Sequence, residues 1–200
     1  MRNAKLSITV LLGLVWLPPS LAQPMNVDGY LKQARAFVDL RRYNEAESQY
    51  VNAGIQAEKL GPRNPTLISV LDEVARFYVS QGNPGKAEPY FRRELDLRTS
   101  LGGNQCPEVA LCKRQMGEMY LNEGRYNEAE TLLQDSLQYW QDSVDRNYQN
   151  PNSNNEKDRL AIADCLDDLA KIYRQTGRLD GAKELERRSL NIRSDPSGVQ

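Results

Sequence analysis

Histidine is absent from all 200 residues of the chain. Its absence removes the commonest general base and the commonest zinc ligand. Cysteine is scarce: Cys106, Cys112 and Cys165 lack metal-ligand spacing, and a thiol nucleophile among them would have no imidazole to activate it. No glycine-rich phosphate loop and no nucleophile elbow occurs. Adjacent carboxylates such as Asp72–Glu73 and Asp167–Asp168 point in different directions on a helix, so they do not make an acid/base pair. The chain therefore reads as non-catalytic, with no metal, cofactor or small-molecule substrate.

An excess of positive charge is missing as well. The 26 Lys and Arg are balanced by 27 Asp and Glu, interleaved along what read as helix faces, which excludes the basic surface that nucleic acid requires. The N-terminal apolar run, Leu6 to Leu17, is 12 residues long and includes Ser7 and Thr9, well short of the roughly 20 residues that cross a bilayer core. Arg2 and Lys5 precede it, Pro18–Pro19 break it, and Ser20–Leu21–Ala22 offers small residues where a signal peptidase reads. Residues 1–22 are expected to be a signal peptide cleaved after Ala22, leaving an exported chain, periplasmic or secreted, with 24 basic and 27 acidic side chains. An uncleaved anchor holding the rest at a membrane is the alternative. No cysteine follows the run closely, which argues against a lipoprotein.

What the chain does have is an internal repeat. RRYNEAESQYVNAG from Arg41, GNPGKAEPYFRREL from Gly82, GRYNEAETLLQDSL from Gly124 and GRLDGAKELERRSL from Gly177 align without gaps, their starts spaced by 41, 42 and 53 residues. Periods of this size indicate stacked copies of one supersecondary unit. Seven residues before each start sits a small residue, Ala34, Ala75, Gly117 or Ala170, and three residues after that an aromatic, Phe37, Tyr78, Tyr120 or Tyr173. Twelve residues after the small residue comes an alanine, Ala46, Ala87, Ala129 or Ala182, with Tyr50, Phe91, Leu133 and Glu186 four positions beyond. Small residues allow close helix crossing and the aromatic fills the space beside it.

The spacing predicts four helical hairpins: 26–40 with 44–60, 65–81 with 84–101, 107–123 with 126–145, and 158–176 with 179–193. Apolar steps of three and four, as in Val109, Cys112, Met116, Met119 and Tyr120, support helix throughout, and no strand pattern competes. Pro65 and Pro107 suit helix starts; Gly82, Gly124 and Gly177 suit helix ends. The longer last period places an asparagine-rich loop at 146–157, within a repeat domain of 23–195 followed by a tail at 196–200.

These landmarks resemble the tetratricopeptide repeat. Leu60–Gly61 before Asn64–Pro65, and Leu101–Gly102 before Cys106–Pro107–Glu108–Val109–Ala110, are similar to the linkers of its kinesin-light-chain-like subgroup, whose repeats are about 42 residues long. The resemblance implies an all-α superhelical solenoid of four helix-turn-helix repeats that binds another protein or peptide. Arg41 in place of the turn glycine, Gly54 inside a helix and the charged Glu186 depart from the pattern. In such stacks the first helix of each pair lines the concave side. The positions one after and three before the small landmark should then project into the groove: Arg35, Arg76, Glu118 and Lys171, with Leu31, Asp72, Arg114 and Asp167. That groove would be polar and of mixed sign, although its charges could also simply pair across neighbouring repeats.

Cys112 and Cys165 share a register with Gly29 and Val70, so they read as small buried hydrophobes. A Cys112–Cys165 or Cys106–Cys112 disulfide and an intermolecular bond from Cys106 are the alternatives. Two functions remain. One is an exported scaffold that captures an extended or helical segment of another protein. The other is a self-associating module, motivated by the lack of a separate capping helix after Ile192.

Overall fold

The computed structural model describes residues 25–147 and 155–195. The expected signal peptide, the tail at 196–200 and the centre of the expected loop lie outside these residues. Eight helices follow one another among the described residues: α1 (Val27–Asp39), α2 (Tyr43–Glu58), α3 (Pro65–Ser80), α4 (Pro84–Gly102), α5 (Pro107–Asn122), α6 (Tyr126–Asn147), α7 (Glu156–Gln175) and α8 (Leu179–Ser194). Each odd helix packs on the even helix after it, each even helix packs on the next odd one, and α5 also touches α7. The result is an all-α stack of four hairpins with the odd helices on one face.

The helix ends follow local chemistry. The Asn26 and Asn64 side-chain oxygens accept from the Gly29 and Thr66 amides at 2.8 and 2.9 Å, satisfying first-turn donors that would otherwise be orphaned. All four hairpin turns share one hydrogen-bond pattern. The amides of Arg42, Asn83, Arg125 and Arg178 donate to the carbonyls of the aromatic landmarks Phe37, Tyr78, Tyr120 and Tyr173 at 2.8, 2.9, 2.9 and 2.8 Å. This is the Schellman closure, and it needs a left-handed residue just before the donor. Gly82, Gly124 and Gly177 supply it at φ 66°, 75° and 78°, and Arg41 adopts it at φ 57° despite its Cβ. The first turn, which reads as eroded in sequence, is therefore intact, at a backbone cost of about 1–2 kcal/mol.

The core runs as a seam between hairpins. Ala34, Ala46, Ala75, Ala87, Gly117, Ala129, Ala170 and Ala182 are all buried, as are Tyr78 and Tyr120; Phe37 and Tyr173 are half-buried. Gly117 shows why the landmark must be small: a Cβ there would lie 2.8 Å from Leu133 Cγ and 3.3 Å from the Ala129 carbonyl oxygen.

Two expectations are corrected. Helix α6 runs through Asn147 and α7 starts at Glu156, so helix claims both ends of the segment assigned to loop at 146–157. The two helices hold each other there, with Ser143 Oγ donating to Asp158 Oδ2 at 2.6 Å. Leu31 belongs to the core, not to the groove: it is buried in the first hairpin with Val27 and Ala34, because an apolar side chain on a terminal helix gains more against α2 than in water.

Candidate functional site

The face made by the odd helices carries the remaining seven groove candidates, and nearly all of them are engaged with charged neighbours. Arg35 on α1 holds Glu73 on α3 through two hydrogen bonds, at 2.6 and 2.7 Å. Asp72 pairs with Arg76 in the same helix at 2.9 Å and accepts from Gln115 of α5 at 3.4 Å. Arg114 reaches α7, with Nη1 3.1 Å from Asp168 and Nη2 3.7 Å from Asp164. Lys171 takes the other oxygen of Asp168 at 2.8 Å, and Asp167 pairs with Arg193 of α8 at 2.7 Å. Glu118 is exposed, and its carboxylate joins Asp168 in favouring the charged form of Lys171.

These pairs differ in burial, which decides what each can do. The Arg35 and Arg76 side chains are each more than half exposed, so their pairs are the weak, exchangeable kind worth roughly 0–1 kcal/mol; Lys171 is as exposed, but its partner Asp168 is not. Arg114 is only 23% exposed, and its partner Asp168 is 4% exposed. Arg114 is thus a strut between hairpins three and four, not a free groove contact. Asp168, the centre of this cluster, carries no signal in the sequence, where it reads as one more surface acid.

A second set of charges, on the edge where the turns lie, escapes the sequence reading altogether. In each of the first three hairpins a glutamate follows the crossing alanine: Glu47, Glu88 and Glu130. Each reaches the tyrosine or turn cation of the next hairpin. Tyr78 Oη donates to Glu47 at 2.9 Å beside Lys86 Nζ at 2.8 Å. Tyr120 Oη donates to Glu88 at 2.9 Å beside Arg125 Nη1 at 2.7 Å. Glu130 takes Arg178 through two hydrogen bonds at 2.8 and 2.7 Å. The cations stack on the same rings, Lys86 on Tyr78, Arg125 on Tyr120 and Arg178 on Tyr173, at 5.2, 3.9 and 3.7 Å from the centroids. Arg125 and Arg92 hold the Glu88 carboxyl down to about 2 against the cost of partial burial, while Lys86 and Arg178 lower Glu47 and Glu130. The signal that could have found this clasp is the recurrent Ala-Glu pair, which becomes Ala182–Lys183 in the last hairpin.

Elsewhere the chemistry is quiet. All three thiols are free; Cys112 and Cys165 are buried, and burial raises both, Cys165 to about 11. Among the described residues no group of His, Cys, Asp and Glu could hold a metal ion, and no helix is long and apolar enough to cross a membrane. A groove of about 380 Å³ lies between α4 and α6, floored by Met116 and Tyr120 and walled by Leu95 and Leu132. Its walls carry Arg92, Asp96 and Glu128 but no convergent acid/base or nucleophilic set.

Tetratricopeptide repeat profiles match residues 66–142 and 162–194, together more than half of the chain. The chain belongs to the tetratricopeptide repeat family. Repeats of this family generally mediate protein–protein interactions. Solved structures agree on the fold. BtubC (BKLC) from P. vanneervenii superposes with a TM-score of 0.70 at 18% identity, over 87% of this chain and 65% of its own. The chain thus spans less than two thirds of BtubC. Two structures of a Podosopora anserina protein described as a kinesin light chain with nearly identical TPR-like repeats give TM-scores of 0.51 and 0.50 at 16% and 15% identity. They cover 84% and 90% of this chain and 94% and 100% of their own. At these identities the likeness is one of fold. No curated protein matches the chain in sequence.

Proposed function

We propose that this TPR protein is a non-catalytic, exported scaffold whose odd-helix face receives a peptide or helical segment of another protein carrying charges of both signs. The observation that carries this reading is the row of half-exposed, exchangeable ion pairs at Arg35 and Arg76, with Glu118 exposed on the neighbouring odd helix. A charged ligand can trade places with such pairs at little cost, because each contributes little to the fold. Export rests on the N-terminal segment alone.

Self-association through the ends of the stack is the weaker reading. Inside the stack the odd helices meet the preceding hairpin with Val70, Cys112 and Cys165, with Val74, Met116 and Leu169, and with Phe77, Met119 and Ile172, all buried. In α1 those positions hold Gly29, Gln33 and Ala36. At the other end Lys183 and Glu186 stand where inner hairpins present a clasp glutamate and a large apolar group. Neither outer face carries the surface that another such hairpin would need.

One preparation tests the proposal. Expressed in an exporting bacterial host, the mature chain is expected to begin at Gln23, to scatter as a monomer, and to retain partners from its native extract. Arg76→Glu combined with Glu118→Arg should leave the helical spectrum unchanged and reduce that capture by tenfold or more, on the order of 1.4 kcal/mol. Unchanged capture by a folded double variant would remove the groove from the mechanism.

A further inference from the structure

Glu94 breaks the repeat's own rule at a buried position. Seven residues after the crossing alanine, α2, α6 and α8 carry Ala53, Ser136 and Ser189, whereas α4 carries Glu94; all four are at most 2% exposed. The small residues fit a slot pressed against a neighbouring odd helix. Ser136 Oγ accepts from Cys165 Sγ at 3.5 Å, and Ser189 Oγ donates to the Ala163 carbonyl at 3.2 Å.

In α4 the same slot faces Cys112 of α5, and a carboxyl fills it. Its Oε1 accepts from Arg98 Nε, one turn along the same helix, at 2.6 Å. Its Oε2 is sealed from solvent and receives no hydrogen bond of normal geometry; the Cys112 thiol beside it donates to the Phe91 carbonyl instead. The ionisable groups that face it are Arg98 on α4, Asp72 and Arg76 on α3, and Cys112 on α5. A dry, unpartnered oxygen is far more tolerable on a neutral carboxylic acid than on a carboxylate.

We propose that the joint between the second and third hairpins is controlled by a proton on Glu94: protonated, α4 and α5 close dry on one another; ionised, the carboxylate draws water into the joint and loosens it. The direction follows from burial, which outweighs the pull of Arg98 and pushes the carboxyl from 4.5 up to about 7, with Asp72 adding and Arg76 opposing. Because the folded value lies above the unfolded one, the contribution is complete below 4.5, shrinks as pH rises toward 7, and is lost above it. The joint also lies beneath the Asp72–Gln115 contact that links α3 to α5 on the odd-helix face, so loosening it changes how the two halves of that face sit. The inference does not depend on what that face binds.

Hydrogen exchange of the full chain at pH 5 and pH 8, corrected for intrinsic amide rates, tests it. Protection of α4 and α5 amides between Glu94 and Met116 is expected to fall by on the order of a hundredfold from pH 5 to pH 8. Glu94→Gln should abolish that fall, and so should Glu94→Ser, which installs the residue found at Ser136 and Ser189. Carboxyl-carbon NMR of the unsubstituted chain should show Glu94 titrating near neutrality. An equal pH response in the unsubstituted chain and a folded variant, or a Glu94 carboxyl that titrates below pH 5, overturns the proposal. The NMR titration decides even where neither variant folds.

Discussion

Truncating Phe91 to alanine is expected to cost about 3–5 kcal/mol, at the upper end for a single apolar side chain. Phe91 is 1% exposed and sits where Tyr50 and Leu133 sit in the neighbouring hairpins, four residues after the crossing alanine. Tyr50 illustrates the role of the position: its ring lies 4.9 Å from Phe77 of the next hairpin, and desolvation beside Glu73 pushes its hydroxyl up to about 12. At Phe91 the same seam is tied further by Cys112 Sγ, which donates to the Phe91 carbonyl at 3.8 Å. A void there opens between hairpins two and three. In a stack held only by nearest neighbours, no distant core can absorb the loss. Urea unfolding followed by circular dichroism checks it. The midpoint should fall sharply, and the transition should broaden as the two halves of the stack uncouple. Leu190→Ala is the control. Leu190 is 68% exposed, so its loss should stay within about 0.5 kcal/mol. Equal effects at the two positions would mean that the hairpin seam does not carry the stability assigned to it.

The features legible in the sequence are those that repeat because backbone packing demands them. Gly117 and its alanine counterparts, the tyrosines and the turn glycines recur because a helix crossing and a left-handed turn admit few residue types. Arg41 shows the limit of that logic: the turn survives a residue that disfavours it, because the hydrogen bond from Arg42 to Phe37 and the packing of α1 on α2 fix the geometry from outside. Charges are legible only as a class. Nothing local distinguishes Asp168, sealed beneath Arg114, from Asp167, reaching out to Arg193, since the difference lies in which helix passes overhead. The Tyr120–Glu88 contact joins residues 32 positions apart, beyond any local pattern. Glu94 is the instructive case. The alignment of the repeats already sets it beside Ala53, Ser136 and Ser189, yet a glutamate beside two arginines in RREL reads as solvated until its burial is seen.

Reversing Arg114 to glutamate is expected to damage the fold before it touches any partner. The substitution removes one of the two cations that neutralise Asp168 and adds a third carboxylate beside Asp164 and Asp168. Lys171 remains as a partner, but its side chain is 59% exposed and its attraction is shared with water. Breaking a pair whose acid is this deeply buried costs about 3–5 kcal/mol, whereas Arg76→Glu, at a side chain 59% exposed, should cost about 0–1 kcal/mol. Loss of partner capture by an Arg114 variant would therefore report unfolding of the α5–α7 joint, and the groove is better probed at Arg76 and Glu118. The apolar replacement separates charge from packing. Arg114→Met alone should be destabilising, and Arg114→Met with Asp168→Leu should return to within about 1 kcal/mol of the parent, because an ion pair replaced by well-packed apolar side chains loses little. Thermal and urea unfolding of the three variants decide the matter. If Arg114→Glu proves no less stable than Arg76→Glu, the strut is not structural, and Arg114 returns to the groove as a residue free to meet a ligand.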